Sequence, residues 1–240
     1  MPRASARLAA LVPLLLLALV AARPAAAGIF EPEIFTLDNG LRGVVIEKPA
    51  MPAVNHMIWY RVGGADEPPG KSGMAHLFEH LMFKGTDKHP GDAFSTTVAR
   101  NGGEHNAFTS YDYTAYYQSV AADRLELMMS LEADRMTNLL LRAEDVKTER
   151  DVVLEERRMR VENEPAALLR ERMDAAFYTT HPYGTPLIGW PHELETVTVE
   201  DLEAYYRRWY RPSNAILIVA GNVTVAEVER LAETTYGTIP

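Results

Sequence analysis

Two imidazoles and a carboxylate recur at helical spacing in the run His76-Leu77-Phe78-Glu79-His80. Each residue of an α-helix advances by about 100°, so positions i, i+3 and i+4 fall within about one third of the circumference. Neutral imidazoles four apart on one face bind a divalent ion well, and zinc is the ion most often held that way. A carboxylate beside them is placed to take a proton from a water activated by the metal. The order is the inverse of H-E-x-x-H: Glu79 lies about 60° to one side of His76, whereas the other order puts its Glu about 100° to the opposite side. A lone histidine here would read as an ordinary surface or core residue. Two at this spacing, with Glu79 flanking them, read as a metal site with His76 and His80 as ligands and Glu79 as general base.

Catalytic zinc takes three protein ligands and keeps a further position open. The third is expected from the run Glu149-Arg150-Asp151-Val152-Val153-Leu154-Glu155-Glu156. Glu149 and Glu156 are seven apart and fall about 20° from alignment on a helix, while Glu155 points about 120° away from Glu149. Val152 and Val153 share the Glu149/Glu156 face, which marks it as inward, with Arg157 and Arg158 expected outside. Glu156 is therefore the expected ligand in preference to Glu155, and Glu149 a supporting acid that orients a ligand by hydrogen bonding. The plainer reading of Glu149 is a solvated helix charge. His105 and His181 have no compelling partner and read as ordinary polar residues.

The elements that must position these groups follow from periodicity and punctuation. Phe35 to Leu37 and Leu41 to Glu47 read as strands joined by Asp38-Asn39-Gly40, a hairpin signal, and Val54 to Val62 as a third strand. Gly63-Gly64 and Pro68-Pro69-Gly70 break the chain. Ser72 is placed to cap a helix that runs to about Phe83 and carries the histidines. A short helix is expected over Asp92 to Arg100, then strands Glu104 to Phe108 and Thr114 to Val120. Long helices are expected over Ala121 to Leu140, Ala143 to about Glu162, and Pro165 to about Tyr178. A loop from His181 to Pro191 leads to a helix over Val199 to Trp209, a strand over Ala215 to Ala220, and a last helix opened by Thr224. Strands and helices arrive in blocks, which favours an α+β fold with a largely antiparallel sheet.

Composition narrows the partners. A net charge of −9 argues against a broad nucleic-acid surface and favours peptides or proteins. The absence of cysteine excludes disulfides and thiolate ligands, so any metal is held by nitrogen and oxygen. Arg3 and Arg7 precede an apolar run from Leu8 to Ala22, and Ala25-Ala26-Ala27 offers small residues for cleavage. This is the pattern of a secretory signal peptide over residues 1–27, with a periplasmic or secreted destination. The run is shorter than the roughly 20 residues a membrane helix needs, so an uncleaved anchor is the lesser reading and no stable insertion is expected after cleavage.

The segments Gly73-Met74-Ala75-His76-Leu77-Phe78-Glu79-His80-Leu81-Met82-Phe83-Lys84-Gly85-Thr86, Gly102-Gly103-Glu104-His105-Asn106-Ala107-Phe108-Thr109 and Glu149 through Glu156 together resemble the pitrilysin/insulinase family of zinc metallopeptidases. The resemblance covers residues 33 to 240. It implies the metallohydrolase fold of that family, one zinc ion held by His76, His80 and Glu156, Glu79 as base and Glu149 as a supporting acid. It also implies that the strand edge Asn106, Ala107, Phe108 and Thr109 pairs with the substrate backbone, with the Asn106 side chain holding a peptide carbonyl near the metal. The plainer reading of Asn106 is a strand-end residue. Full-length members have two homologous halves around the substrate, and Tyr236-Gly237-Thr238-Ile239-Pro240 resembles the close of the first. Residues 28–240 are thus expected to be a zinc-binding peptidase half whose partner half is absent from this sequence. The function expected is an exported zinc endopeptidase, or its catalytic half. Two other classes stay open: a scaffold subunit without turnover, and a zinc hydrolase of non-peptide bonds.

Overall fold

The computed structural model describes residues 31–50 and 52–240. The apolar run over 8–22 and the small residues over 25–27, read above as a signal peptide, lie outside the described residues. Among the described residues, no helix is long and apolar enough to cross a membrane.

Residues Pro32–Pro240 form one unit built on a six-stranded sheet. Its strands are β1 (Glu33–Thr36), β2 (Arg42–Glu47), β3 (Ala53–Tyr60), β4 (Glu104–Thr109), β5 (Thr114–Ala121) and β6 (Ala215–Gly221), in the spatial order β1-β2-β6-β3-β5-β4. All neighbours are antiparallel except β2 and β6, which run parallel. The sheet is therefore largely antiparallel, as the block pattern of the sequence implies. Gly40, at φ +88°, makes the turn between β1 and β2, a conformation open to glycine at little steric cost. Strand alternation sets one buried face: Val54, His56, Ile58 and Tyr60 of β3 and Ala215, Leu217 and Val219 of β6 all point into the core.

Among the described residues the α-helices are, in chain order, α1 (Met74–Leu81), α2 (Ala93–Arg100), α3 (Leu125–Asn138), α4 (Ala143–Arg157), α5 (Pro165–Phe177), α6 (Pro191–Leu194), α7 (Val199–Trp209) and α8 (Val225–Thr234). Helix α3 packs on β3 and β5, and α8 on β2. Helix α1 lies against both α4 and the edge strand β4. Its inward side buries Leu77, Phe78 and Leu81, and Phe78 stacks among Tyr205, Tyr206 and Tyr210 of the α7 region. Burying a side chain of that size stabilises by about 1.5–3 kcal/mol, which fixes how α1 is rotated. The opposite side of α1 carries His76, Glu79 and His80.

Several expectations need correction. Ser72 does not cap α1; the cap position is Gly73, at φ +83°. A Cβ on Gly73 would come within 2.7 Å of Ile188 O, and one on Gly189, at φ +86°, within 2.5 Å of Ser72 O. Two glycines thus let the loop before α6 run against the start of α1, a packing reason for the cap that local sequence does not carry. The helix expected over Ala121 to Leu140 is a 3₁₀ turn over Ala122–Arg124 followed by α3, and the helix expected to reach Glu162 turns into a π turn over Arg158–Glu162. The loop before α7 contains α6, opened by Pro191 at its first position. Val152, expected to face inward with Val153, is 44% exposed, and Arg157, expected outside, is 4% exposed.

Candidate metal centre

Helices α1 and α4 bring three donors together. One donor atom from each of His76, His80 and Glu156 lies within 4.8 Å of the others. His76 Nε2 stands 3.7 Å and His80 Nε2 3.5 Å from Glu156 Oε2. The two imidazole planes are nearly perpendicular, at 83°, with centroids 4.9 Å apart, so their ring nitrogens converge without stacking. Two imidazoles and a carboxylate form a nitrogen and oxygen set that suits a divalent ion such as zinc. The buried His76 Nδ1 has no hydrogen-bond partner within the protein.

Electrostatics sort the donors. Burial, reinforced by the neighbouring His80, holds the His76 pKa down to about 4, so this ring is neutral at physiological pH and offers a lone pair. Burial also acts to lower His80, but the hydrogen bond and charge of Glu149, aided by Glu156 and Glu79, outweigh it and raise the value. Glu149 Oε2 lies 3.1 Å from His80 Nδ1, and its Oε1 lies 2.5 Å from Lys84 Nζ. Those two partners hold the Glu149 carboxyl below its ordinary value, the His80 bond foremost. Seven-residue spacing on α4 thus puts Glu149 behind one histidine while Glu156 faces both.

Glu79 stands beside the trio on α1, and the Thr109 hydroxyl donates to its Oε2. Burial raises the Glu79 carboxyl above its ordinary value, against the Thr109 bond and the charge of His80. Thr109 ends β4, whose outer edge is unpaired among the described strands. Asn106 of the same strand is exposed, and its Oδ1 accepts the Ala107 N–H at 2.8 Å. Asn106 through Thr109 line a cleft of 920 Å³ together with His76, Glu79, His80 and Glu156. Of the site residues singled out from sequence, these eight line one cleft, and Glu149 does not line it but lies behind His80. His105 sits apart from the metal donors, packed on Phe83 and Phe94, and His181 accepts the Tyr183 N–H.

Sequence reasoning missed three contributors. Arg160 pairs with Glu156 Oε1 at 2.7 Å; it lies four residues on, a spacing that brings side chains together on a helix. Arg157 donates to both oxygens of Glu171, at 2.7 and 2.8 Å, and to Gly189 O, tying α4 to α5 and to the loop before α6. Its place four residues after the buried Val153 was a readable signal that its charge obscured. Glu67, from the loop before α1, accepts N–H groups at the start of that helix; no sequence pattern marked it.

Known proteins resemble this chain in sequence and fold. The family model described as Insulinase (Peptidase family M16) matches residues 42–190, and one described as Peptidase M16 inactive domain matches residues 196–240. The zinc protease PqqE of Helicobacter pylori is 36% identical over 228 residues, 95% of this chain and 51% of that protein. The crystal structure of a protease from Helicobacter pylori superposes with a TM-score of 0.84 at 34% identity, covering 88% of this chain and 51% of that one. The periplasmic protease PqqL from Escherichia coli gives a TM-score of 0.81 at 27% identity, over 92% of this chain and 25% of that one. The chain spans about half the length of the curated relatives it matches. With the insulinase model covering more than half its residues, the chain belongs to the insulinase family, peptidase family M16.

Proposed function

We propose that this chain is the metal-binding half of an exported zinc endopeptidase, completed by a second homologous half. The observation that carries the reading is the convergence of His76, His80 and Glu156 within 4.8 Å at a cleft that also holds Glu79. The relatives named zinc proteases support the metal, and the signal-type residues 1–27 with a relative described as periplasmic support export.

His76, His80 and Glu156 would hold the ion. Bound there, zinc supplies Lewis-acid polarisation of a carbonyl and draws the pKa of a water toward neutrality. Glu79 takes a proton from the attacking water on its carboxylate and returns it to the leaving amine. Its raised pKa suits a group that must both accept and release a proton, and the Thr109 hydroxyl keeps its carboxylate oriented. Glu149 accepts the His80 Nδ1–H, which fixes the tautomer and turns Nε2 toward the metal position. Arg160 holds the second oxygen of Glu156. The substrate adds to the free edge of β4 by main-chain hydrogen bonds, which grip a peptide with little regard to its sequence, and the Asn106 amide holds a peptide carbonyl.

The testing experiment is peptide hydrolysis by Glu79→Gln, with zinc content measured in parallel. The variant is expected to keep its zinc and lose hydrolysis when paired with the missing half. Undiminished hydrolysis would refute Glu79 as base.

A further inference from the structure

The first turn of α1 has backbone donors that its own cap residue does not satisfy. Its cap residue, Gly73, has no side chain, and the Ser72 hydroxyl instead accepts the Trp190 N–H at 2.8 Å. The first N–H groups of a helix have no partner within it. Here they are met from outside. Glu67 Oε1 accepts the Ala75 N–H at 2.7 Å, and Glu67 Oε2 accepts the Gly73 N–H at 3.1 Å. Glu193 Oε2 accepts the Ser72 N–H at 3.0 Å.

The Glu67 contacts sit directly beside the metal donors in the chain. Ala75 precedes His76, so the clamped N–H belongs to the residue whose carbonyl begins the His76 peptide. Helix α1 is only eight residues long, and so short a helix has little stability of its own. Its orientation must come from its contacts. On the core side Phe78 supplies one; at the N-terminus Glu67 supplies two hydrogen bonds to backbone N–H groups, although burial pushes its carboxyl up to about 8 against the pull of those two donors. Both carboxyl oxygens of Glu67 act as acceptors here, whereas an amide of the same shape would turn an NH₂ toward one of the two donors.

We infer that Glu67 is a positioning residue for the metal centre: by clamping the Gly73 and Ala75 N–H groups together, it sets the helix that presents His76 and His80. The inference rests on the reading of His76, His80 and Glu156 as metal ligands. It sets Glu67 apart from Glu149, which acts on one histidine ring, because Glu67 acts on the backbone that carries both rings.

The test compares wild type, Glu67→Gln and Glu67→Asp for zinc dissociation constant, by competition with a chromophoric chelator, and for the thermal midpoint with and without zinc. Glu67→Gln is expected to weaken zinc binding about tenfold or more, within the range typical of residues that support metal ligands, and to shrink the zinc-dependent rise in midpoint. Glu67→Asp, which keeps the two acceptor oxygens but shortens the reach, is expected to recover part of both. If Glu67→Gln binds zinc as wild type does, and its metal-free and zinc-loaded midpoints fall equally, Glu67 only stabilises the fold and the inference is overturned. Should Glu67→Gln fail to fold, Glu67→Asp is read by the same two outcomes. Failure of the wild-type protein to bind zinc overturns the ligand assignment itself, which separates the two failures.

Discussion

Side chains of one chemical type take different parts here because their surroundings differ. Glu156 faces two imidazoles, Glu149 lies behind one of them and against Lys84, and Glu79 is half-buried beside them with a hydroxyl donor. In the proposed function they are, in that order, ligand, orienting acid and base. In complex with the second half, Glu79→Gln is expected to lower peptide hydrolysis by about 10²–10⁴, the usual contribution of a positioned proton-transfer group, with zinc stoichiometry unchanged by elemental analysis. Glu149→Ala removes the partner of His80 Nδ1 and leaves Lys84 facing the imidazole. Its zinc affinity is expected to fall about 10–100-fold, measurable by chelator competition. Asn106→Ala tests the strand edge: a higher KM with little change in zinc affinity is expected, and an unchanged KM would argue for the plainer role as a strand-end residue.

At the scale of elements, the site depends on how three pieces meet: α1, α4 and the edge strand β4. The join between α1 and the loop before α6 is tightest at Gly73 and Gly189. Gly189→Ala places a Cβ against Ser72 O and a side chain at positive φ, and is expected to cost about 1–3 kcal/mol, read as a lower midpoint in chemical denaturation. This is also where legibility in the sequence runs out. The hairpin at Asn39-Gly40, the helix faces of His76/His80 and Glu149/Glu156, and the capping role of Thr224 rest on local patterns and are readable. The clamp on α1 by Glu67, the displacement of Ser72 onto Trp190, and the inward turn of Arg157 depend on segments distant in sequence. Val152 shows a limit of face arithmetic: it shares a helix side with Glu149, but that side borders an open cleft, so an apolar residue there is exposed. The π turn after Arg157 likewise has no local signal in the run Arg158–Glu162.

At the scale of the whole molecule, the buried face of the sheet carries a polar chain. His56 Nδ1 lies 2.6 Å from Gln118 Oε1, His56 Nε2 lies 2.9 Å from Tyr236 OH, and Gln118 donates to Glu132, which pairs with Arg135. Since Gln118 gives its NH₂ to Glu132, its carbonyl accepts the His56 Nδ1–H, and the neutral Nε2 accepts from Tyr236. Burial, with a smaller push from Arg135, holds the His56 pKa below its ordinary value, against Glu132 and the Gln118 bond. A lowered histidine pKa means that the unfolded chain binds the proton more readily. This contribution to stability is therefore present above about pH 6.5 and is lost as pH falls through the folded value. Denaturation midpoints of wild type and His56→Gln across that range are expected to converge on acidification. The chain spans about half the length of its curated relatives, and under the proposed function turnover needs a second half whereas metal binding needs only the residues described. Metal binding is accordingly the most direct test. Protein purified without chelators is expected to carry about one zinc per chain, and His80→Ala to carry far less. Wild-type protein that takes up no zinc, even when dialysed against it, would contradict the assignment of His76, His80 and Glu156.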